Sequence, residues 1–302
     1  MACEPSSWGG QWTDEKLDAF EKYVNAYLTI MNAFRDQNKW KLIYFDGFAG
    51  SGSRNEKKEE KDSALLQELF DESILKKEEL NLYKGAAERV LSIPQRGFDF
   101  YYFVDKDPES SIKLHELLAR FENDKTLVYR NSDANKQIEM LANAMRQDRK
   151  LASLVLLDPF GMQVDWSSIE KLKDTRTDLW ILIPTGVIVN RLLDRKGELT
   201  HIYKLISFFG KDENFLRDYF YTKRQQQTLF GEIEIVQKVE KPIQKIAELY
   251  IQQLKNIFKH VTPDPLVLYN SRNTPIFHFA CASNNPQAVK IASDIINKKQ
   301  KQ

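Results

Sequence analysis

The chain has 302 residues, of which 42% are hydrophobic and 29% are charged, and its formal net charge is +1 at pH 7. This composition is ordinary for a globular protein with a sizeable core. The near-zero net charge gives no global attraction to nucleic acid or to membranes, although it is compatible with a local basic face.

The cysteine content and the apolar runs bear on the compartment of the protein, on metal binding and on membrane contact. Cys3 and Cys281 are too few for a disulfide framework or a zinc site, so we expect free thiols in a reducing compartment and no bound metal. No apolar run approaches the roughly 20 residues that span a bilayer. The first residues also lack the pattern of a signal peptide. We therefore expect a cytoplasmic protein that makes no membrane contact.

Strands alternate with helices over the first two thirds of the sequence. The predicted strands are residues 42–45, 98–104, 127–129, 151–157 and 178–183. The predicted helices are residues 13–34, 63–75, 109–121, 135–149 and 167–173. This alternation predicts a mostly parallel sheet with helices on both faces, which is a Rossmann-like α/β fold.

The last third has a different pattern. Residues 187–260 are predicted to be mostly helical, with a polar loop at 225–228, and to form an insertion or cap within a single domain, 1–302. Two late strands, 266–269 and 276–282, suit an antiparallel pair that completes a mixed sheet. A helix over 286–297, with Pro286 at its start, would close the fold.

A glycine-rich turn follows the first predicted strand. Asp46 ends the strand, and Gly47, Gly50 and Gly52 come next. Glycine permits positive φ and a close approach of a ligand to the backbone. A strand that runs into such a turn holds nucleotide-type ligands in open α/β sheets. The alternative is an ordinary tight turn at the surface, and the Lys- and Glu-rich residues 54–62 are predicted as a solvated loop or a mobile flap.

Four predicted strand ends carry carboxylates, namely Asp46, Asp105, Asp133 and Asp158. In a parallel sheet these ends lie along one edge, where they can hold a nucleoside-bearing cofactor. Asp105 would accept hydrogen bonds from ribose hydroxyls and Asp133 from an adenine amine, while Asp158 with Pro159 and Phe160 would face the substrate. For each aspartate the alternative is a helix cap or an Asx turn.

These motifs resemble those of class I S-adenosylmethionine-dependent methyltransferases. The run Asp46-Gly47-Phe48-Ala49-Gly50-Ser51-Gly52 resembles their glycine loop on the methionine side of the cofactor. The positions of Asp105 and Asp133 are similar to those of the acidic residues that bind ribose and adenine. Asp158-Pro159-Phe160-Gly161 is similar to the Asp-Pro-Pro-aromatic box of amino-methyltransferases, which stacks an aromatic ring on a flipped nucleobase.

A closer resemblance is to the three-Cys-motif partner proteins, and it covers nearly the whole chain. The segments that carry it are Trp12 to Leu17, Phe45 to Gly50, Leu156 to Met162 and Phe279 to Ser283. The resemblance implies a separate partner with three cysteines, a radical S-adenosylmethionine type of protein.

Three functions follow as expectations. The first is an S-adenosylmethionine-dependent methyltransferase that acts on a nucleobase of DNA or RNA. The alternative is a non-catalytic partner subunit of that radical S-adenosylmethionine type protein, in nucleic-acid repair or defence. A nucleotide-binding enzyme of other chemistry is the third.

Two further segments are candidates for partner contacts. Tyr219 to Tyr221 with Lys223 and Arg224 mixes aromatic and basic side chains, which suits single-stranded nucleic acid or a solvated helix end. Trp166 is open to either a surface or a core role, whereas Trp180 is predicted to lie in the core.

Overall fold

The computed structural model describes residues 10–50, 85–159, 161–228, 231–270 and 272–300. The predicted loop 54–62 and the predicted helix 63–75 lie outside these ranges. Gly52 and Phe160 also lie outside them, so their predicted roles stay predictions.

Ten strands are described. They are β1 (Lys41–Asp46), β2 (Phe100–Asp105), β3 (Leu127–Asn131), β4 (Leu151–Leu157), β5 (Thr177–Ile183), β6 (Tyr221–Thr228), β7 (Gly231–Lys238), β8 (His260–Val261), β9 (Leu266–Tyr269) and β10 (Pro275–Ser283). Eight of them form one sheet in the order β3-β2-β1-β4-β5-β10-β8, with β9 also paired to β10. Strands β1 to β5 are parallel, whereas β10 is antiparallel to its neighbours. The prediction of a mostly parallel α/β sheet, completed by the late strands, is confirmed.

Nine α-helices are described. They are α1 (Gly10–Asn38), α2 (Pro108–Leu118), α3 (Ala134–Gln147), α4 (Trp166–Glu170), α5 (Asn190–Leu192), α6 (Ile202–Phe209), α7 (Glu213–Phe220), α8 (Pro242–Leu254) and α9 (Pro286–Gln300). Residues 85–91 are helical as well. A π-helical turn, Thr185–Val189, joins β5 to α5. None of the described helices is long and apolar enough to cross a membrane.

The sheet separates two apolar layers. Because successive side chains of a strand point to opposite faces, neighbours such as Tyr44 and Phe45 belong to different layers. One layer packs against α1, α2, α9 and residues 85–91, and it contains the fully buried Trp180 and the free thiol of Cys281. The other layer packs against α3, α4, α6, α7 and α8, and it contains Trp166. Both tryptophans are therefore core residues.

The segment 187–260 is not only helical, which corrects the sequence prediction. β6 and β7 form a separate two-stranded antiparallel hairpin, and residues 225–228, predicted as a loop, belong to β6. Lys223 and Arg224, predicted near a helix end, also lie in β6, and residues 222–225 are exposed. A strand that is exposed on both faces needs no apolar alternation, so its polar run gives no strand signal. The available signal was in β7, where Glu232-Ile233-Glu234-Ile235 alternates.

Candidate functional site

Three of the four strand-end carboxylates meet at the carboxyl edge of the sheet, the edge at which the parallel strands end. Asp46, the last residue of β1, is in register with Phe103 of β2 and Leu156 of β4. Asp105 ends β2, and Asp158 follows β4 directly. All three are at least nine-tenths buried. Such burial is costly for a charged group unless other groups compensate it, so the partners of these carboxylates define the site.

The glycine turn crosses from the end of β1 to the end of β2. The Gly47 N–H donates to the Leu156 carbonyl at 3.0 Å, and the Ala49 N–H donates to the Val104 carbonyl at 2.9 Å. A Cβ atom at Gly47 would lie 2.7 Å from Cδ2 of Leu157, so this close approach favours glycine. The turn is therefore fixed to both neighbouring strands by its own backbone.

Asp105 is bonded to this turn. Its Oδ2 accepts from the Gly50 N–H at 3.0 Å, and its Oδ1 accepts from the Asp107 N–H at 2.7 Å. Burial raises the pKa of Asp105 to about 6. A carboxylate has about four acceptor positions. Each oxygen of Asp105 therefore keeps acceptor capacity beyond these two backbone bonds.

Asp105 does not cap the following helix, because its neighbour has that role. Asp107 caps α2 and accepts from the backbone N–H groups of Glu109 at 3.3 Å and Ser110 at 3.2 Å. The other alternative, an Asx turn, is present: Asp105 Oδ1 accepts from the Asp107 N–H, two residues further on. The helix-cap alternative for Asp105 is therefore wrong and the Asx-turn alternative is confirmed.

For Asp133 the structure shows the helix cap. Its Oδ1 accepts from the Asn135 N–H at 2.9 Å and from the Lys136 N–H at 3.4 Å at the start of α3. Within the described part of the chain, Oδ2 accepts no hydrogen bond. The first role of this residue is structural, and only Oδ2 is left to accept a hydrogen bond from a ligand.

Asp158 forms a buried ion pair that the sequence analysis missed. Lys16 Nζ donates to Asp158 Oδ2 at 2.5 Å, and the two side chains are 4% and 9% exposed. Lys16 lies near the start of α1. It shares a helix face with Phe20, Tyr23 and Tyr27, all of them buried, and this spacing was the available signal. A lysine on an apolar face needs a buried anion, and only the fold shows that the anion is Asp158.

Asp46 lies close enough to this pair to interact with it electrostatically. Burial, the largest cause, and the negative charge of Asp158 raise the pKa of Asp46 to about 7, although the Phe48 N–H, Tyr44 and Lys16 act in the opposite direction. The Tyr44 hydroxyl donates to Asp46 Oδ2 at 3.2 Å, and the Phe48 N–H donates to Oδ1 at 3.2 Å. Near neutral pH the group therefore exchanges readily between its protonated and ionised forms.

Aromatic rings lie beside Lys16. The Trp12 ring stacks on Phe277 with centroids 5.3 Å apart, and Lys16 Nζ lies 5.6 Å from the Trp12 centroid. The neighbour of Phe277 in β10, His278, shares a hydrogen bond of 2.7 Å with Thr185 through Nδ1. Burial lowers the pKa of His278 to about 4, so this imidazole is neutral. The start of α1 thus brings a cation and an aromatic surface to the carboxyl edge.

Pro159, which follows Asp158, is also buried.

Two cavities formed by described residues lie away from Asp46, Asp105 and Asp158. One, of about 360 Å³, is lined by residues that include Trp166, Gly210 and Gln253. The other, of about 420 Å³, lies at the opposite edge of the sheet, where the parallel strands begin.

No family model and no curated protein matches this chain. The functional argument therefore depends on the geometry of the carboxyl edge together with the motifs of the sequence. The geometry alone defines a Rossmann-like sheet whose carboxyl edge combines a backbone-fixed glycine turn with buried carboxylates.

Proposed function

We propose that this protein is an S-adenosylmethionine-dependent methyltransferase of the three-Cys-motif partner type. The observation that carries the proposal is Asp105. It is buried, it does not cap the following helix, and it is bonded to the Gly50 N–H of the glycine turn. Turn and carboxylate thus form one preorganised unit at the edge where open α/β sheets bind ligands.

Different residues of this edge would bind different parts of the cofactor. Asp105 would accept hydrogen bonds from the ribose hydroxyls, and Asp133 would accept from the adenine amine through Oδ2. The turn from Asp46 through Gly47, Phe48, Ala49 and Gly50 to Gly52 would lie against the methionine part. The cofactor would supply an electrophilic methyl group, and this chain would position the acceptor.

On the substrate side we assign Asp158, Pro159 and Phe160 to a nucleobase of DNA or RNA. Asp158 would accept a hydrogen bond from the amine to be methylated, and the ion pair with Lys16 would hold the carboxylate in place. Methyl transfer from a sulfonium depends mainly on the alignment of donor and acceptor. The proposal therefore requires no general base.

The same ion pair favours a second candidate. Lys16 Nζ already donates to Asp158 Oδ2, so a substrate amine would have to compete with this ammonium for that oxygen. The chain would then act as a non-catalytic partner subunit of a three-cysteine radical S-adenosylmethionine type protein, in nucleic-acid repair or defence. The exposed β6–β7 hairpin, which is separate from the main sheet, offers a surface for such a partner.

Calorimetry with S-adenosylhomocysteine tests cofactor binding. We expect the full chain to bind it, and Asp105→Ala to weaken binding by about 2 kcal/mol, because a hydrogen bond to a charged group contributes that much. Asp107→Ala is the matched control, since it removes the cap of α2 but not the proposed ribose contact. Absence of binding to the unmodified chain would contradict the proposal.

Transfer of labelled methyl from S-adenosylmethionine to single-stranded DNA or RNA separates the two candidates. The methyltransferase proposal predicts transfer that Asp158→Asn abolishes while S-adenosylhomocysteine still binds. Cofactor binding without transfer, together with co-purification of a three-cysteine protein, would favour the partner-subunit function.

A further inference from the structure

The cavity of about 420 Å³ lies where β4 and β5 begin and β10 ends, which we call the amino edge. Leu151, Thr177 and Ser283 line it from these three strands, on the opposite side of the sheet from Asp46, Asp105 and Asp158. Its volume is within the range of about 300–1,000 Å³ that is typical of small-molecule sites.

Three cationic side chains line this cavity, namely Arg149, Arg176 and Lys259. Arg149 donates from Nη1 to the Asp174 carbonyl at 3.3 Å, and Arg176 donates from Nη1 to the Arg149 carbonyl at 2.8 Å. Across the described ranges, none of the three cations forms an ion pair with a carboxylate. A guanidinium has five N–H donors, so both arginines keep donors for an anion.

Two carboxylates also line the cavity, and one of them is already engaged. Asp178 accepts hydrogen bonds from the Tyr23 hydroxyl at 2.7 Å and from the Ser283 hydroxyl at 2.5 Å. Burial raises the pKa of Asp178. Asp174, which is exposed, is the other carboxylate. The three cations therefore outweigh the negative charge of the cavity wall.

Part of the remaining wall is aromatic and apolar, beside polar threonine, serine and asparagine side chains. The Arg176 guanidinium lies 4.8 Å from the centroid of the Trp40 ring, and Met31 and Met145 line the same space. An indole beside a guanidinium is a surface on which flat polar rings stack favourably.

Tyr27 lines the cavity and is 6% exposed. Its hydroxyl makes no hydrogen bond to any described residue, and the hydroxyl oxygen itself is buried. Tyr27 therefore adds ring surface to the cavity wall, and its hydroxyl does not face the open space.

We propose that the amino-edge cavity binds a small anion that carries a flat polar ring, of which a nucleoside monophosphate is the simplest common class. Arg149, Arg176 and Lys259 would bind the anionic group. Trp40 would lie against the ring. This site is separate from the proposed cofactor site and does not depend on it.

Calorimetry of the full chain with adenosine 5′-monophosphate tests the proposal, with adenosine and inorganic phosphate as partial probes. We expect the monophosphate to bind at least about tenfold more tightly than either partial probe, because only it engages both the cations and the ring wall. We expect Arg176→Gln to weaken binding about tenfold or more.

Arg130→Gln is the matched control. Arg130 is also exposed, donates to a backbone carbonyl and lies near an aromatic ring, that of Tyr102, but it is not part of this cavity. Its substitution should leave binding of the monophosphate unchanged. No binding at millimolar concentration, or equal binding by the Arg176→Gln variant, would overturn the proposal. Loss of binding in Asp105→Ala instead would also overturn it, because the probe would then occupy the carboxyl edge.

Discussion

The charged side chains at the two edges of the sheet have different kinds of bonding partner. At the carboxyl edge the buried carboxylates are compensated within the chain, by the Lys16 ammonium at Asp158 and by backbone N–H groups at Asp105. At the amino edge, Arg149 and Arg176 line a cavity and donate to carbonyls instead of carboxylates. The difference teaches that the carboxyl edge is preorganised by its own contacts, whereas the cations of the amino edge form no ion pair with a carboxylate of the described residues.

The largest expected effect comes from breaking the compensation at the carboxyl edge. Lys16→Met removes the ammonium that pairs with the buried Asp158 carboxylate, and the loss of one partner of a buried ion pair costs about 3–5 kcal/mol. We expect the free energy of unfolding, measured with urea, to fall by that amount. In the double variant Lys16→Met/Asp158→Asn, most of this loss should be recovered.

Lys22→Met is the control for the lysine substitution, because Lys22 is an exposed residue of the same helix. It should change stability by less than about 0.5 kcal/mol. A cost for Lys16→Met as small as that of Lys22→Met would mean that the ion pair does not compensate Asp158, and the contrast between the edges would fail.

The next effect is a pH dependence at the same edge. Burial raises the pKa of Asp46 from 3.8 to about 7, so between these values the unfolded chain has lost a proton that the folded chain keeps. The contribution of Asp46 to stability is therefore lost as the pH rises from about 4 to about 7. At about 1.4 kcal/mol per pH unit, with the slope falling off near pH 7, we expect a loss of roughly 3 kcal/mol between pH 5 and pH 8.

Urea unfolding of the unmodified protein and of Asp46→Asn, each at pH 5 and pH 8, measures this contribution. The asparagine does not titrate, so the difference between the two proteins should shift by that amount in favour of the variant at pH 8. Asp105, with its pKa raised to about 6, and His278, with its pKa lowered to about 4, titrate in both proteins and cancel from the difference. A difference that is independent of pH would show that Asp46 is ionised throughout.

The smallest expected effect is the loss of one of two tyrosine hydroxyls near the amino edge. The Tyr23 hydroxyl donates to Asp178, whereas the Tyr27 hydroxyl has no described partner, and both belong to α1. Tyr23→Phe should cost about 1.5 kcal/mol in urea unfolding, because it removes a hydrogen bond to a half-buried carboxyl group. Tyr27→Phe should be neutral or slightly stabilising, since no protein hydrogen bond is lost. Equal costs for both would show that Tyr27 has a partner within the chain.

The sequence predicted those elements whose signal is local. β4 and β9 have the predicted bounds, 151–157 and 266–269, because each is a continuous apolar run. The exposed β6 was missed because its polar residues show no apolar periodicity. The cap of α2 also had a local signal. Pro108 follows Asp107 directly, and this neighbour indicates that Asp107, not Asp105, caps the helix.

The site was predicted only in part. The clustering of Asp46, Asp105 and Asp158 was predictable, because each follows or ends a strand and a parallel sheet aligns the strand ends. Lys16 escaped prediction because its partner lies 142 positions away in the sequence. The amino-edge cavity joins α1, β4, β5 and β10, and no local motif marks such an assembly.

A crystal structure of the full chain with S-adenosylhomocysteine tests the central claim most directly. The account predicts the ligand at the carboxyl edge, beside the glycine turn, with its ribose hydroxyls within about 3 Å of the Asp105 carboxylate. A ligand bound in the cavity beside Arg176, or no bound ligand at saturating concentration, would contradict it.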